Sequence, residues 1–208
     1  MHECSKALLR RMHDACFAAR YFAGSGIDIG AGPDSLDDHR ELFPRVSRVM
    51  EWDFEDGDAQ VLDGLADDTF DFAHSSHCLE HMRDPHAALA AWVRVVKPGG
   101  HLIITVPDED LYEQGVFPST FNTDHKWTFS IHKHKSWSAQ TINVFDLLAR
   151  LEDRVQVLKV ELIDHAFRHS MPRIDQTLTP VAESAIEMIL RKRPAAEIAR
   201  GGRLPAAK

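Results

Sequence analysis

The sequence predicts an α/β protein built on a mostly parallel sheet with helices on both faces. One sign is the stretch Gly26-Ile27-Asp28-Ile29-Gly30-Ala31-Gly32, a short apolar strand running into an acid and a glycine-rich turn. Another is the succession Phe70-Asp71-Phe72-Ala73, a capped helix from Asp84-Pro85, the breaker Lys97-Pro98-Gly99-Gly100, and the apolar run Leu102–Val106. Strand, helix and strand joined by short turns make a parallel pair with a right-handed crossover. The third is size and composition. A chain of 208 residues, 44% hydrophobic and 27% charged, suits one globular domain with a substantial core.

Taken in order, residues 5–22 read as an amphipathic helix. Leu8, Met12, Ala15, Ala19 and Phe22 share a face, Ser5 caps the start and Gly24 ends it. Ile27–Ile29 is the first strand. Residues 34–43 hold at most a short helix, stopped at Pro44. Val46–Trp52 is the second strand and ends at Asp53, and Phe70–Ala73 is the third. The helix after Asp84 buries Leu89, Trp92, Val93 and Val96. Residues 107–137 are polar, aromatic and rich in histidine, with a strand marked by Trp127, Phe129 and Ile131. Ser136 or Ser138 caps a helix carrying Val144, Phe145, Leu148 and Leu151. Val155–Ile163 alternates as a strand. Thr179-Pro180 opens a last helix through Val181, Ala185, Met188 and Ile189. Residues 1–193 then form a single domain with 107–137 capping the substrate site, and 194–208 form a flexible tail.

A net charge of −8 argues against a nucleic-acid partner, and no apolar run approaches the ~20 residues of a membrane helix. Cys4, Cys16 and Cys78 are widely spaced without a CxxC, as suits reduced thiols in a cytoplasmic protein.

The chemistry-bearing residues come in a fixed order. They are Asp28-Ile29-Gly30-Ala31-Gly32, an acid after the second strand, Gly57-Asp58-Ala59, Phe70-Asp71-Phe72, Leu79-Glu80-His81 and Lys97-Pro98-Gly99-Gly100. With this set the chain resembles the class I S-adenosylmethionine-dependent methyltransferases, in particular the small type 11 branch, over about residues 20–112. The resemblance implies a Rossmann-like sheet and S-adenosyl-L-methionine as cofactor. It implies that Asp28 and the backbone of Gly30, Ala31 and Gly32 lie by the amino-acid and ribose portions. Asp53, chosen over Glu51, accepts the ribose hydroxyls, and Asp58 with Ala59 meets the adenine. Ser75, Ser76 and His77 wall the methionine portion. The family normally places a helix and a strand between the ribose and adenine acids. Here only Phe54-Glu55-Asp56-Gly57 intervenes, too few for a crossover of a dozen residues. The sheet is therefore expected to lack its outer strand on that side, leaving a flank that a second copy of the chain can cover.

Methyl transfer to an alcohol needs a base, and a histidine suits it. His125, preceded by Asp124, and His77 are the two candidates, with Tyr112, Asp124 and His125 as substrate contacts. The expected acceptor is a small polar molecule or a sugar or glycan. Thirteen histidines invite a metal reading, but the spacing within His74–His81 and His125–His134 matches no zinc motif, so no metal is expected. Two other functions compete. A nicotinamide-dependent oxidoreductase wants a third glycine where Ser35 stands. A non-catalytic binding module would have no need of the polar aromatics and histidines at 121–137.

Overall fold

The computed structural model of the protein describes residues 3–203. A six-stranded sheet forms the centre. Its strands are β1 (Gly24–Ile29), β2 (Val46–Trp52), β3 (Phe70–Ser76), β4 (Val96–Pro107), β7 (Val155–Ile163) and β8 (Ala185–Lys192), in the order β2-β1-β3-β4-β8-β7. β2, β1, β3 and β4 are parallel, and β8 runs antiparallel to both β4 and β7. β5 (Thr128–Ser130) and β6 (Thr141–Asn143) form a separate parallel pair. No helix among the described residues is long and apolar enough to cross a membrane.

Side chains alternate across the sheet and split the core. Leu102, Ile104, Met188 and Leu190 pack with α2 (Pro85–Val95) and α3 (Val144–Ala149) on one face. Ile103 and Ile189 pack on the other with α1 (Glu3–Arg11), Phe17, Phe22, Leu36 and Phe43. α2 starts as its sequence dictates: Asp84 accepts from His86 and Ala87 N–H at 2.9 and 3.2 Å, and Pro85 takes the first turn. Among the described residues no strand lies beyond β2, in keeping with the short Asp53–Asp58 link.

Other expectations need correction. The helix over 5–22 ends at Arg11 and resumes only as a wide turn at Phe17–Tyr21. Ser5 does not cap it: the residue lies inside α1, where its N–H and hydroxyl both donate to Asp34. The helix expected to start at Ser136 or Ser138 begins instead after Asn143. The largest error is the last helix. Ala185–Lys192 is a strand between two antiparallel partners, buried on both faces. A central strand reads as a near-continuous apolar run, which periodicity does not separate from a buried helix. The tail is ordered at first, since α4 (Ala195–Ala199) is docked by the pair Arg191–Glu197 at 2.8 Å. Residues 204–208 lie outside the described residues.

Candidate functional site

The chain passes from β1 to β2 on one side and then to β3 on the other. Strand order therefore reverses beside β1, and a crevice opens at the carboxyl ends of β1 and β3, where open α/β sheets take their ligands. The cleft has two lobes that share Gly30, His77 and His81. The larger, about 750 Å³, is lined by Trp52, Asp53, Asp58, Ala59 and Met82. The smaller, about 220 Å³, is lined by Gly30–Gly32, Ser76, Glu80, Tyr112 and His125, with Glu3 and Cys4 of α1 closing it.

The glycine turn is shaped from behind. Gly30 has φ +74°, and a Cβ there would stand 2.6 Å from Cys78 Sγ, so no other residue fits. Gly32 has φ +55° and open space in front of it, leaving bare main chain toward the cleft. Asp28 is buried and fully engaged. Its Oδ2 accepts from Leu36 N–H at 2.7 Å and its Oδ1 meets His74 Nδ1 at 2.6 Å. His74 Nε2 lies 3.0 Å from Arg11 Nη1; a guanidinium only donates, so Nε2 accepts and Nδ1 carries the proton given to Asp28. Asp28 thus braces the turn, although it also borders the smaller lobe.

Asp53 stands exposed at the end of β2, with one oxygen accepting from Phe54 N–H at 2.8 Å. Asp58 accepts from Gln60 N–H at 2.9 Å and from Arg83 at 2.6 Å, which together hold its carboxyl below the usual range. Ala59 O is taken by Trp92 Nε1 at 2.8 Å. Ser75 corrects the reading of the third strand's loop. It is buried, donates to Ile29 O at 2.9 Å and does not border the cleft. The pleat alternates, so His74 and Ser76 face the cleft and the residue between them does not. His77 follows with φ +56°, its N–H donated to Thr105 O at 2.9 Å. Burial first, then the nearby His125, Lys6, His81 and Arg11, push its imidazole down to about 3.

The capping segment brings Tyr112 and His125 into the smaller lobe, buried and with ring centroids 5.1 Å apart. The segment is organised around buried Glu109, which accepts from Lys133, Ser136, Thr128 and Thr141. Of the carboxylates that can orient His125, its sequence neighbour Asp124 is not the one. It is exposed, borders the larger lobe and bonds His81 Nδ1 at 2.9 Å. The ring of His125 is held by Glu113, whose Oε1 lies 2.7 Å from Nδ1. His132 and His134 are exposed and line neither lobe.

Glu113 escaped the sequence reading, and Glu80 was read there only as part of a motif, with no role of its own. Glu80 is fully buried, and neither carboxylate oxygen has a hydrogen-bond partner among the described residues. Burial pushes its carboxyl above the usual range, and His81 and His125 pull the other way. The Leu79-Glu80-His81 motif was visible in sequence, but the burial of its acid was not.

Comparison with known proteins gives the family and the fold. The family model described as "Methyltransferase domain" matches residues 8–170. A 37.1 kDa protein in a transposon of Streptomyces fradiae is 31% identical over 107 residues, 41% of this chain and 31% of that protein. The chain thus matches under a third of that relative's length. A SAM-dependent methyltransferase from Archaeoglobus fulgidus has a similar fold, with TM-score 0.60, 18% identity, and 92% and 95% of the two chains covered. An S-adenosylmethionine-dependent methyltransferase from Mesorhizobium loti gives TM-score 0.54 and 16% identity, covering 89% of this chain and 96% of its own. The chain therefore belongs to the methyltransferase domain family, and its fold is that of solved S-adenosylmethionine-dependent methyltransferases.

Proposed function

We propose that the protein transfers the methyl group of S-adenosylmethionine to a hydroxyl oxygen of a small polar acceptor, such as a sugar or glycan unit. In this reading the adenosine occupies the larger lobe, with Asp53 on the ribose hydroxyls and Asp58 and Ala59 at the adenine. The methionine portion follows Gly30, Ala31 and Gly32 past Ser76 and His77. The acceptor sits in the smaller lobe against Tyr112 and His125, and Asp124 reaches it from the larger lobe across the junction.

The observation that carries this reading is the junction of the lobes. There the imidazoles of His77, His81 and His125 meet a buried, unbonded carboxylate beside the glycine turn. The acids Glu3, Asp28, Asp34 and Glu80 around the smaller lobe favour a sulfonium over a neutral thioether. Transfer is a direct displacement. An oxygen lone pair attacks the methyl carbon, the carbon–sulfur pair stays on sulfur, and the hydroxyl proton passes to an imidazole at the junction, His125 or His77. Much of the rate comes from lining up the three atoms.

Calorimetry tests the reading. S-adenosylmethionine and its demethylated product should bind the wild type, and Asp53→Ala should weaken that binding about 10- to 100-fold, the worth of hydrogen bonds to a charged group. Nicotinamide dinucleotide should not bind. Binding of the dinucleotide alone overturns the proposal. With an acceptor in hand, His125→Ala and His77→Ala should keep cofactor affinity, and turnover should fall about 10²–10⁴-fold where the base or its partner is removed.

A further inference from the structure

We infer that Glu80, His81 and His125 form a binding site for one divalent first-row transition-metal ion, at the wall between the two lobes. One oxygen of Glu80 and one nitrogen of each histidine all lie within 4.8 Å of one another. Glu80 Oε1 is 3.8 Å from His125 Nε2 and 3.9 Å from His81 Nε2. Those spans are too long for hydrogen bonds. They are close to the edge of a coordination tetrahedron with bonds of 2.0–2.2 Å, roughly 3.4 Å, so each histidine needs to close on Glu80 by only about half an ångström.

The surroundings prepare the two imidazoles. His125 Nδ1 meets Glu113 Oε1 at 2.7 Å, and His81 Nδ1 meets Asp124 Oδ2 at 2.9 Å. Each ring therefore spends its Nδ1 proton on a carboxylate and turns an Nε2 lone pair toward Glu80. This is the arrangement that fixes tautomer and orientation in metal-bound histidines. The third ligand needs a cation. Glu80 is fully buried with both oxygens unpartnered, and Glu113 adds a second buried acid to the same cluster. Isolated buried charge of this kind is costly, and an ion between the three ligands offsets it. Two imidazoles and one carboxylate suit zinc, manganese or iron(II) better than magnesium or calcium, which prefer oxygen alone. Sequence spacing hides the site because His125 comes from the capping segment, far along the chain from Leu79-Glu80-His81.

Three protein ligands leave a position open toward the smaller lobe, where Tyr112 Oη is buried without a partner. The inference rests on the methyl-transfer reading for the ion's role, though not for its binding. An acceptor hydroxyl on the open position becomes more acidic. Its proton leaves to water in the open cleft. The oxygen pair then forms the bond to the methyl carbon, the carbon–sulfur bond breaks with its pair on sulfur, and the sulfonium ends as a neutral thioether. His125 is then a ligand and not the base.

Untagged protein stripped with a chelator and titrated with Zn²⁺ should bind one ion per chain in calorimetry. Loading with Co²⁺ should give the visible absorption bands of a low-symmetry nitrogen–oxygen site. Glu80→Gln and His81→Gln should each weaken binding at least 100-fold and abolish the bands, and Glu113→Gln, acting through His125, should weaken it about 10- to 100-fold. His134→Ala, an exposed histidine, should change neither. Circular dichroism and S-adenosylmethionine affinity check that each variant is folded. Zinc affinity equal in wild type, Glu80→Gln and His81→Gln overturns the site, as does absence of the cobalt bands. Ion binding without binding of S-adenosylmethionine keeps the site and sinks the methyl-transfer reading; the opposite result does the reverse.

Discussion

Glu187 sits in the middle of β8, fully buried, and receives Arg10 at 2.7 Å and Arg11 at 3.2 Å, with Lys159 at 3.5 Å. Burial alone would raise its carboxyl, but Arg11, Arg10 and Lys159 together bring it down to about 2. Its folded value is depressed, so it contributes stability above about pH 4.5, and that contribution is lost as pH falls from there toward 2. Glu187→Gln should cost about 3–5 kcal/mol near neutrality, because Arg11 is left buried without its counter-charge. Urea melts at a series of pH values should show the gap between variant and wild type closing below pH 4.5. A gap independent of pH would mean that the loss is one of packing. At this scale the glycine turn and the acid ending the second strand were legible in sequence, because short-range backbone geometry dictates them. The parity of Ser75 and Ser76 was not, since it depends on which face of β3 meets the crevice. Nor were the partners of His125 and His81, which come from segments that only the folded chain brings together.

The elements follow local chemistry where local chemistry is strong. α2 has an acid cap, a proline in its first turn and an apolar stripe, and it forms where the sequence predicts. Asp84→Ala should cost about 1 kcal/mol in a denaturant titration and leave the slope unchanged. β8 shows the opposite case. Its apolar run fits either period, and its partners β4 and β7 decide the outcome. The segment after β4 illustrates a third kind of element, held by a single buried acid instead of by periodicity. Glu109→Ala removes the acceptor of Lys133, Ser136, Thr128 and Thr141 at once. Hydrogen exchange across residues 128–141 should rise sharply in that variant, with exchange in β1 and β3 unchanged. Uniform exchange over the whole chain would show that Glu109 supports the global fold and not this segment alone.

The whole molecule is an open sheet whose ligand crevice lies at its reversal point, and a bound cofactor should act as a keystone between the halves. S-adenosylmethionine at about 100 times its dissociation constant should add about 2.7 kcal/mol, a rise in Tm of roughly 5–10 °C for a chain of this size. Differential scanning calorimetry measures it, and no rise at saturation would mean that the cofactor does not favour the folded form. The truncated link between Asp53 and Asp58 has its own consequence for selectivity. With no strand beyond β2 among the described residues, the rim of the larger lobe on that side is one short loop in which Phe54 is 94% exposed. In the proposed placement of the cofactor, nucleoside analogues enlarged on the purine put the extra bulk into bulk water past that loop, and analogues enlarged at the amino-acid end meet Glu3 and Cys4 of α1 and are turned away.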